Sequence, residues 1–298
     1  MGTLVEFIIA DSDHEHADRA LADAALEMQR VEDAFTIYGD VDNAVKSFNR
    51  SLPGTPVELP EEVSHILVTA MQAQAQSQGA FNPDLGTLDL LWGFSSETSR
   101  NQPPSQEEIA RAIPPQNCIV HSHQKWIRSD SRCLLDFGAI AKGYAIDRGI
   151  AILKKFGIRN AMVNAGGDLR LIGTHAGKPW RIGIRHPRHK GEVLGTLSLS
   201  GDVSIVTSGD YERFFIWNGR RYHHILDPTT GYPATSSQST TVIASNATLA
   251  DAWSTALFVE GAHGLPLQTK LGHAALIIDQ HGRIHMNQSM KSILQYIK

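Results

Sequence analysis

Apolar residues at helical spacing and apolar residues at strand spacing follow one another from residue 3 onward, with no linker, repeat or low-complexity tract between them. Leu21, Ala24, Ala25, Met28, Val31 and Phe35 mark a helix over 17–35. A second helix starts at Pro60, carries Val63, Ile66, Leu67, Ala70 and Met71 on one face, and meets a stop signal at Gly79. Ser105 and Glu108 have capping-box spacing ahead of a short helix ending before Pro114. Further helices are expected over 139–156, closed by Gly157, over 249–260, and near Met290. Strands are expected over 3–9, twice between Cys118 and Leu135, around Met162 and Leu169, and over 181–185, 193–199, 241–244 and 274–279. Asn218-Gly219 is the strongest hairpin signal, and the polar stretch 94–104 reads as a loop. Helices and hairpin-linked strands mix without strict alternation. The class is therefore α+β with antiparallel pairing.

At 298 residues the chain suits one large domain or two intimate ones, and 1–298 is taken as a single domain. Its 27 Lys+Arg against 31 Asp+Glu give a net charge of −4, so nothing global favours nucleic acid or an anionic membrane. No apolar run approaches the ~20 residues that cross a bilayer, and the opening residues lack the features of a secretory leader. A complete chain of this kind is expected in the cytoplasm. Cys118 and Cys133 lack zinc-site spacing and read as small buried hydrophobes. His14-Glu15-His16 lacks metal-ligand spacing and reads as solvated.

Four segments are dense in Gly, Asp, Ser/Thr and His. Asp136 to Tyr144 is a glycine turn feeding a helix: it suits an anion, helped by Lys142, or else Asp136 merely caps the helix. Asn164 to Asp168 is a double-glycine turn, lacks the GxGxxG pattern of a dinucleotide fold, and serves equally as a ligand loop or a plain turn. Thr207 to Arg213 is joined across the hairpin to His223 through Gly231, where a histidine beside Asp227 suits a general base while Asp227 to Gly231 is by itself a good turn. Asp251 and Thr255 are one helical turn apart, with Ser254 beside them. They can offer hard oxygens to Mg²⁺, or simply answer the helix dipole and a backbone carbonyl.

Taken together, these segments resemble the FAD:protein FMN transferases, the ApbE family, in the same order along the chain. The matching stretches are Met1-Gly2-Thr3, 38–49, Ala80-Phe81-Asn82-Pro83 through Phe94, 136–147, 164–168, Thr207-Ser208-Gly209-Asp210-Tyr211, 224–231 and 250–257. The resemblance implies two interlocked subdomains of mixed, largely antiparallel sheets with helices outside and a flavin cleft between them. It also implies an enzyme that binds FAD and Mg²⁺, splits the pyrophosphate, and attaches FMN to a Ser or Thr of an acceptor flavoprotein with release of AMP. By position, Met1, Tyr38, Ala80, Phe81, Asn82, Asp136, Lys142 and Leu226 would contact FAD. The carbonyl of Ala139 and the side chains of Asp251 and Thr255 would hold the metal, and His224 is the candidate base, with Asp251 the alternative.

Three departures stand out. Asn82 replaces the family's usual Asp, Asp84 stands where Thr is common, and Ser254 sits where some members carry a second carboxylate. Many members are exported, which gives the alternative to a cytoplasmic location. The rival activities are a Mg²⁺-dependent FAD pyrophosphatase on the same scaffold and a flavin-delivery protein without turnover.

Overall fold

A computed structural model describes residues 3–10, 17–94 and 100–296. Its first elements are β1 (Val5–Ile9), α1 (Ala17–Phe35), α2 (Ala44–Arg50), α3 (Glu61–Gln76), α4 (Gly86–Trp92), α5 (Gln106–Ala112), β2 (Ile119–Ser122) and β3 (Lys125–Arg128). The middle of the chain forms α6 (Ala141–Lys155), β4 (Ala161–Ala165), β5 (Asp168–Ile172), β6 (Trp180–Arg185), β7 (Val193–Leu199), β8 (Val203–Gly209), β9 (Phe214–Trp217) and β10 (Arg220–His223). The last part forms β11 (Ser237–Ala244), α7 (Ala247–Glu260), α8 (Leu265–Lys270), β12 (Ala274–Asp279), β13 (Ile284–Met286), α9 (Gln288–Ile293) and β14 (Leu294–Tyr296). Every pairing between these strands is antiparallel. The α+β class expected from the mixed periodicities is the one adopted.

Two compact units share the chain discontinuously. The first takes Met1–Glu32, Ile140–Gly209 and Ser236–Lys298, and the second takes Asp33–Ala139 and Asp210–Thr235.

The first unit is built on a seven-stranded sheet in the order β1-β4-β5-β8-β11-β12-β13, beside a three-stranded sheet β14-β7-β6. Strand alternation sends successive side chains to opposite faces. Ile205 of β8 joins Trp180, Leu197, Met290 and Leu294 in one cluster, while its neighbour Val206 packs with Ala250 of α7 in another. A sheet covered on both faces reads as an unbroken apolar run, which is why every residue of β12 is buried. Burial of α7 on nearly all sides has the same origin in its sequence, rich in Ala with Trp253, Leu257 and Phe258.

In the second unit α3 buries Val63, Ile66, Leu67, Ala70 and Ala73. The β9–β10 hairpin turns at Asn218 (φ 48°) and Gly219 (φ 75°), the positive-φ pair that its Asn-Gly sequence favours. Its Phe215 and Tyr222 stack at 5.4 Å and pack with Trp92 and Phe94. Trp92 Nε1 donates to the Gly231 carbonyl at 2.8 Å, which pins the end of the His224–Gly231 loop to α4.

One expectation fails here. Cys118 and Cys133 are joined in a disulfide (Cα–Cα 5.6 Å) at the open end of the β2–β3 hairpin. Both sulfurs are buried as the sequence suggests, but the turn after β3, closed by the Cys133 N–H on the Asp130 carbonyl, returns Cys133 to the open end of the hairpin beside Cys118, a proximity that spacing alone does not reveal. The expected helix over 139–156 begins at Ala141, and short helices α2 and α4 appear where no long apolar period announces them. His14-Glu15-His16 lies outside the described residues.

Candidate active site

In the first unit, four elements end at one place. The start of α6, the start of β5, the end of β8 and the middle of α7 bring together Lys142, Gly143, Asp168, Thr207, Ser208, Asp251, Ser254 and Thr255. Asp251 Oδ2 accepts the Gly143 N–H at 2.9 Å. Gly143 is required for this approach: a Cβ there would run into the Ala247 carbonyl and lie 2.9 Å from the Asp251 Cβ. Lys142 Nζ forms an ion pair with Asp168 Oδ2, while Asp168 Oδ1 accepts the Thr207 N–H at 2.9 Å. The Asp168 carboxylate is 2% exposed, so its two oxygens serve as a fixed anchor for the lysine. Ser208 Oγ lies 2.7 Å from Ser254 Oγ and 3.4 Å from Thr255 Oγ1.

The N-terminus of α7 is held from α6. Asp147 accepts the N–H groups of Ala247 and Thr248 at 2.8 and 2.9 Å and the Thr248 hydroxyl at 2.5 Å, and is ion-paired with Arg170 at 2.6 Å. This cap fixes the helix that carries Asp251 and Thr255. Sequence reasoning placed Asp147 in a matching segment without seeing this role, because its partners lie 100 and 101 residues away.

Burial pushes the Asp251 carboxyl up to about 7, with the Lys142 charge pulling it down and the Asp168 charge pushing it up. A buried carboxyl under that penalty is a group a cation would relieve. Among the described residues no three His, Cys, Asp or Glu side chains are grouped so as to hold a metal ion by themselves. Asp251 and Thr255 offer a carboxylate and a hydroxyl, hard oxygen donors of the kind that Mg²⁺ takes and a soft metal does not.

The second unit gathers most of the remaining residues. Tyr38 hydrogen-bonds to Asp136, and the Asp136 amide donates to the Pro83 carbonyl at 2.9 Å, which joins it to the Ala80–Asp84 loop. Within that loop Asn82 Oδ1 accepts from Gln74 Nε2 at 2.9 Å and from the Asp84 N–H at 2.8 Å. Phe81 is buried, its N–H donating to Ser77 Oγ at 3.0 Å. Asp136 also accepts the Gly138 N–H at 2.5 Å. Burial raises its pKa, against the pull of that amide, of Arg213 and of Tyr38. Asp89, on α4, is pushed well up by burial and by the Asp136 charge.

Lys46 is the residue that sequence reasoning missed. Buried within the second unit, it donates from Nζ to the carbonyls of Tyr38, Gly39 and Val41 at 2.7–2.8 Å, which folds the chain around Tyr38. A lysine in a short helix that no apolar period announces gives no sign from sequence that three carbonyls await it.

Leu226 is buried with Leu85, Leu88, Trp92 and Tyr222, and bridges Pro233. The two histidines of the loop separate by role. His223 Nε2 lies 2.9 Å from the Ala234 carbonyl, and its Nδ1 accepts the Ile225 N–H, so it is a satisfied core histidine. His224 is anchored through its own N–H to the Arg213 carbonyl at 3.1 Å. Asp227 Oδ1 accepts the Thr229 N–H at 2.8 Å, the turn that its sequence suggests. Ala139 is the last residue of its segment of the second unit. Met1 lies outside the described residues.

A lysine at the start of a helix, beside a buried carboxylate and clustered hydroxyls, is an arrangement of the kind that suits a phosphate-bearing ligand. The chain belongs to the ApbE family, whose sequence model matches residues 1–277. It is 33% identical over 265 residues to the FAD:protein FMN transferase of Escherichia coli K12, covering 85% of this chain and 76% of that protein. The Rhodobacter capsulatus FAD:protein FMN transferase is 33% identical over 260 residues, and there this chain spans half of the relative's length. Among solved structures, the ApbE protein of Thermotoga maritima superposes with a TM-score of 0.89 at 34% identity, covering 98% of this chain and 96% of that one. The flavin transferase ApbE of Vibrio cholerae gives 0.85 at 28% identity, covering 99% and 96%.

Proposed function

We infer that the protein is a Mg²⁺-dependent FAD:protein FMN transferase. The observation that carries this reading is the Lys142, Asp168, Asp251 and Thr255 cluster, in a chain whose relatives are named for this reaction. The Ser or Thr oxygen of an acceptor protein would form a bond to the FMN phosphorus while the bond to the AMP oxygen breaks, and the hydroxyl proton would pass to His224. Asp251 and Thr255, with the Ala139 carbonyl, would hold Mg²⁺. When bound there, the ion neutralises charge on the pyrophosphate oxygens.

Lys142, steadied by Asp168, would add a second positive charge for the phosphates, and the α6 N-terminus favours anions in the same place. Tyr38 and the 80–84 loop, linked through Asp136, would hold the flavin end. Preorganised groups of this kind stabilise developing charge without rearranging as it appears.

A buried disulfide supports an oxidising compartment as the place of work, because cytoplasmic thiols are kept reduced. Incubation with FAD, Mg²⁺ and a candidate acceptor, followed by intact mass of the acceptor, tests the activity. An acceptor heavier by FMN supports the transferase. Free FMN and AMP with an unchanged acceptor leaves a pyrophosphatase, and FAD that stays intact leaves a delivery protein.

A further inference from the structure

The β9–β10 hairpin packs through Phe215 and Tyr222 on one face and leaves Phe214 and Ile216 exposed on the other. Cross-strand pairing puts Phe215 opposite Tyr222 and Ile216 opposite Arg221. The Phe215–Tyr222 face is the one stacked on Trp92 and Phe94. On the other face Phe214 is 42% exposed and Ile216 54% exposed; the half-buried Arg221 guanidinium lies over the Phe214 ring at 3.9 Å and donates from one Nη to the Asp210 carbonyl at 3.2 Å, leaving its other N–H groups for a ligand, and His223 closes the far end of the face. Among the described residues neither β9 nor β10 pairs with a third strand. A four-residue strand showing two bulky apolar side chains around a guanidinium invites an explanation.

The charge is local as well. Residues 212–223 carry Arg213, Arg220 and Arg221 against Glu212 alone, in a chain of net charge −4. The hairpin is also continuous with the residues assigned to the reaction. Arg213, at its base, acts on Asp136 and accepts the His224 N–H through its carbonyl, and β10 runs directly into His224.

We propose that this open face docks the acceptor protein, taking an extended segment beside the reactive Ser or Thr that offers apolar side chains to Phe214 and Ile216 and a carboxylate to Arg221. The proposal rests on the transferase reading, which requires a protein substrate. A second copy of this chain fits the face less well, since a two-fold contact through it would set one arginine-rich hairpin against another.

The test uses Thr-centred peptides with randomised flanks, incubated with the full chain, FAD and Mg²⁺. FMN-bearing peptides are isolated by flavin fluorescence and sequenced by mass spectrometry. The unaltered protein is expected to select Asp or Glu and apolar residues near the Thr. Arg221→Glu is expected to reverse the acidic preference and to slow labelling of the selected peptides about tenfold, and Ile216→Ser to relax the apolar preference. FAD affinity and peptide-independent FAD cleavage should stay within about twofold, since neither residue is assigned to the FAD or metal site. FMN-peptides whose flanking preference is the same in all three proteins would overturn the docking surface alone. No FMN-peptide from the unaltered protein, with FAD cleaved or intact, would overturn the transferase reading and the docking surface with it. A dimer that Arg221→Glu dissociates, with peptide selection unmoved, would assign the face to self-association and likewise overturn the proposal.

Discussion

The Asp251 carboxylate accepts the backbone N–H of Gly143 at 2.9 Å, so the first turn of α6 and the middle of α7 are joined at the residue proposed to hold the metal. That hydrogen bond engages Oδ2 of Asp251 and requires a helix contact that only glycine permits.

Gly143→Ala should therefore be more damaging than helix propensity suggests. Alanine favours a helix by about 1 kcal/mol over glycine, but the added Cβ meets the Ala247 carbonyl, which is backbone and cannot rotate away. Overpacking of this kind costs about 1–3 kcal/mol. A fall in the denaturation midpoint is expected, together with loss of FMN transfer.

Lys46→Met removes three hydrogen bonds to the carbonyls around Tyr38 while keeping the length and apolar stem of the side chain. Bonds from a charged donor are worth about 1.5–3 kcal/mol each, less what the freed carbonyls recover from water. FAD affinity should weaken by about tenfold or more as the Tyr38 turn loosens. Titration of flavin fluorescence measures it, and unchanged affinity would remove Tyr38 from the flavin contacts.

Asp84 gives a pH dependence. Burial pushes its carboxyl from 3.8 up to about 6, and Oδ1 has no hydrogen-bond partner. Between those two values the folded chain keeps a proton that the unfolded chain releases. Stability from this group is thus complete below about pH 4, falls as the pH rises to about 6, and stays low above it. Asp84→Asn cannot ionise, so it should melt higher than the unaltered protein at pH 8, by up to about 3 kcal/mol in stability, and about the same at pH 4. Thermal melts at the two pH values check it.

The disulfide closes a loop between residues 15 apart. Chain-entropy arguments give a stabilisation of about 3 kcal/mol for a loop of that size. Replacing both cysteines by Ala should lower the guanidinium midpoint accordingly. The protein from its native compartment, alkylated under denaturing conditions without reductant, should take up no label at Cys118 or Cys133.

Much of this was legible in the sequence, for identifiable reasons. Local signals held: Asn218-Gly219 turns the hairpin, Ser105 and Glu108 form the capping box, and α1 spans 17–35 as its apolar spacing indicates. Long-range relations did not announce themselves. Nothing in the spacing of Cys118 and Cys133 distinguishes a disulfide from two buried thiols. The pairing of Lys142 with Asp168 depends on a sheet bringing β5 beside the start of α6, and Lys46 reads as an ordinary surface lysine until its three carbonyls are seen. The carboxylate and hydroxyl of Asp251 and Thr255 are visible as an i, i+4 pair, whereas the burial that raises the Asp251 pKa comes from α7 being enclosed on nearly all sides.

The most direct test of the account is FMN transfer by the unaltered protein and by Asp251→Asn, measured as acceptor mass across a Mg²⁺ titration, with FAD affinity measured alongside. The account predicts Mg²⁺-dependent transfer by the unaltered protein and a loss of at least about a hundredfold in the variant, with FAD affinity changed only a few-fold, because the metal matters most as the leaving group departs. Transfer that proceeds equally well without Mg²⁺, or is undiminished by Asp251→Asn, would contradict it.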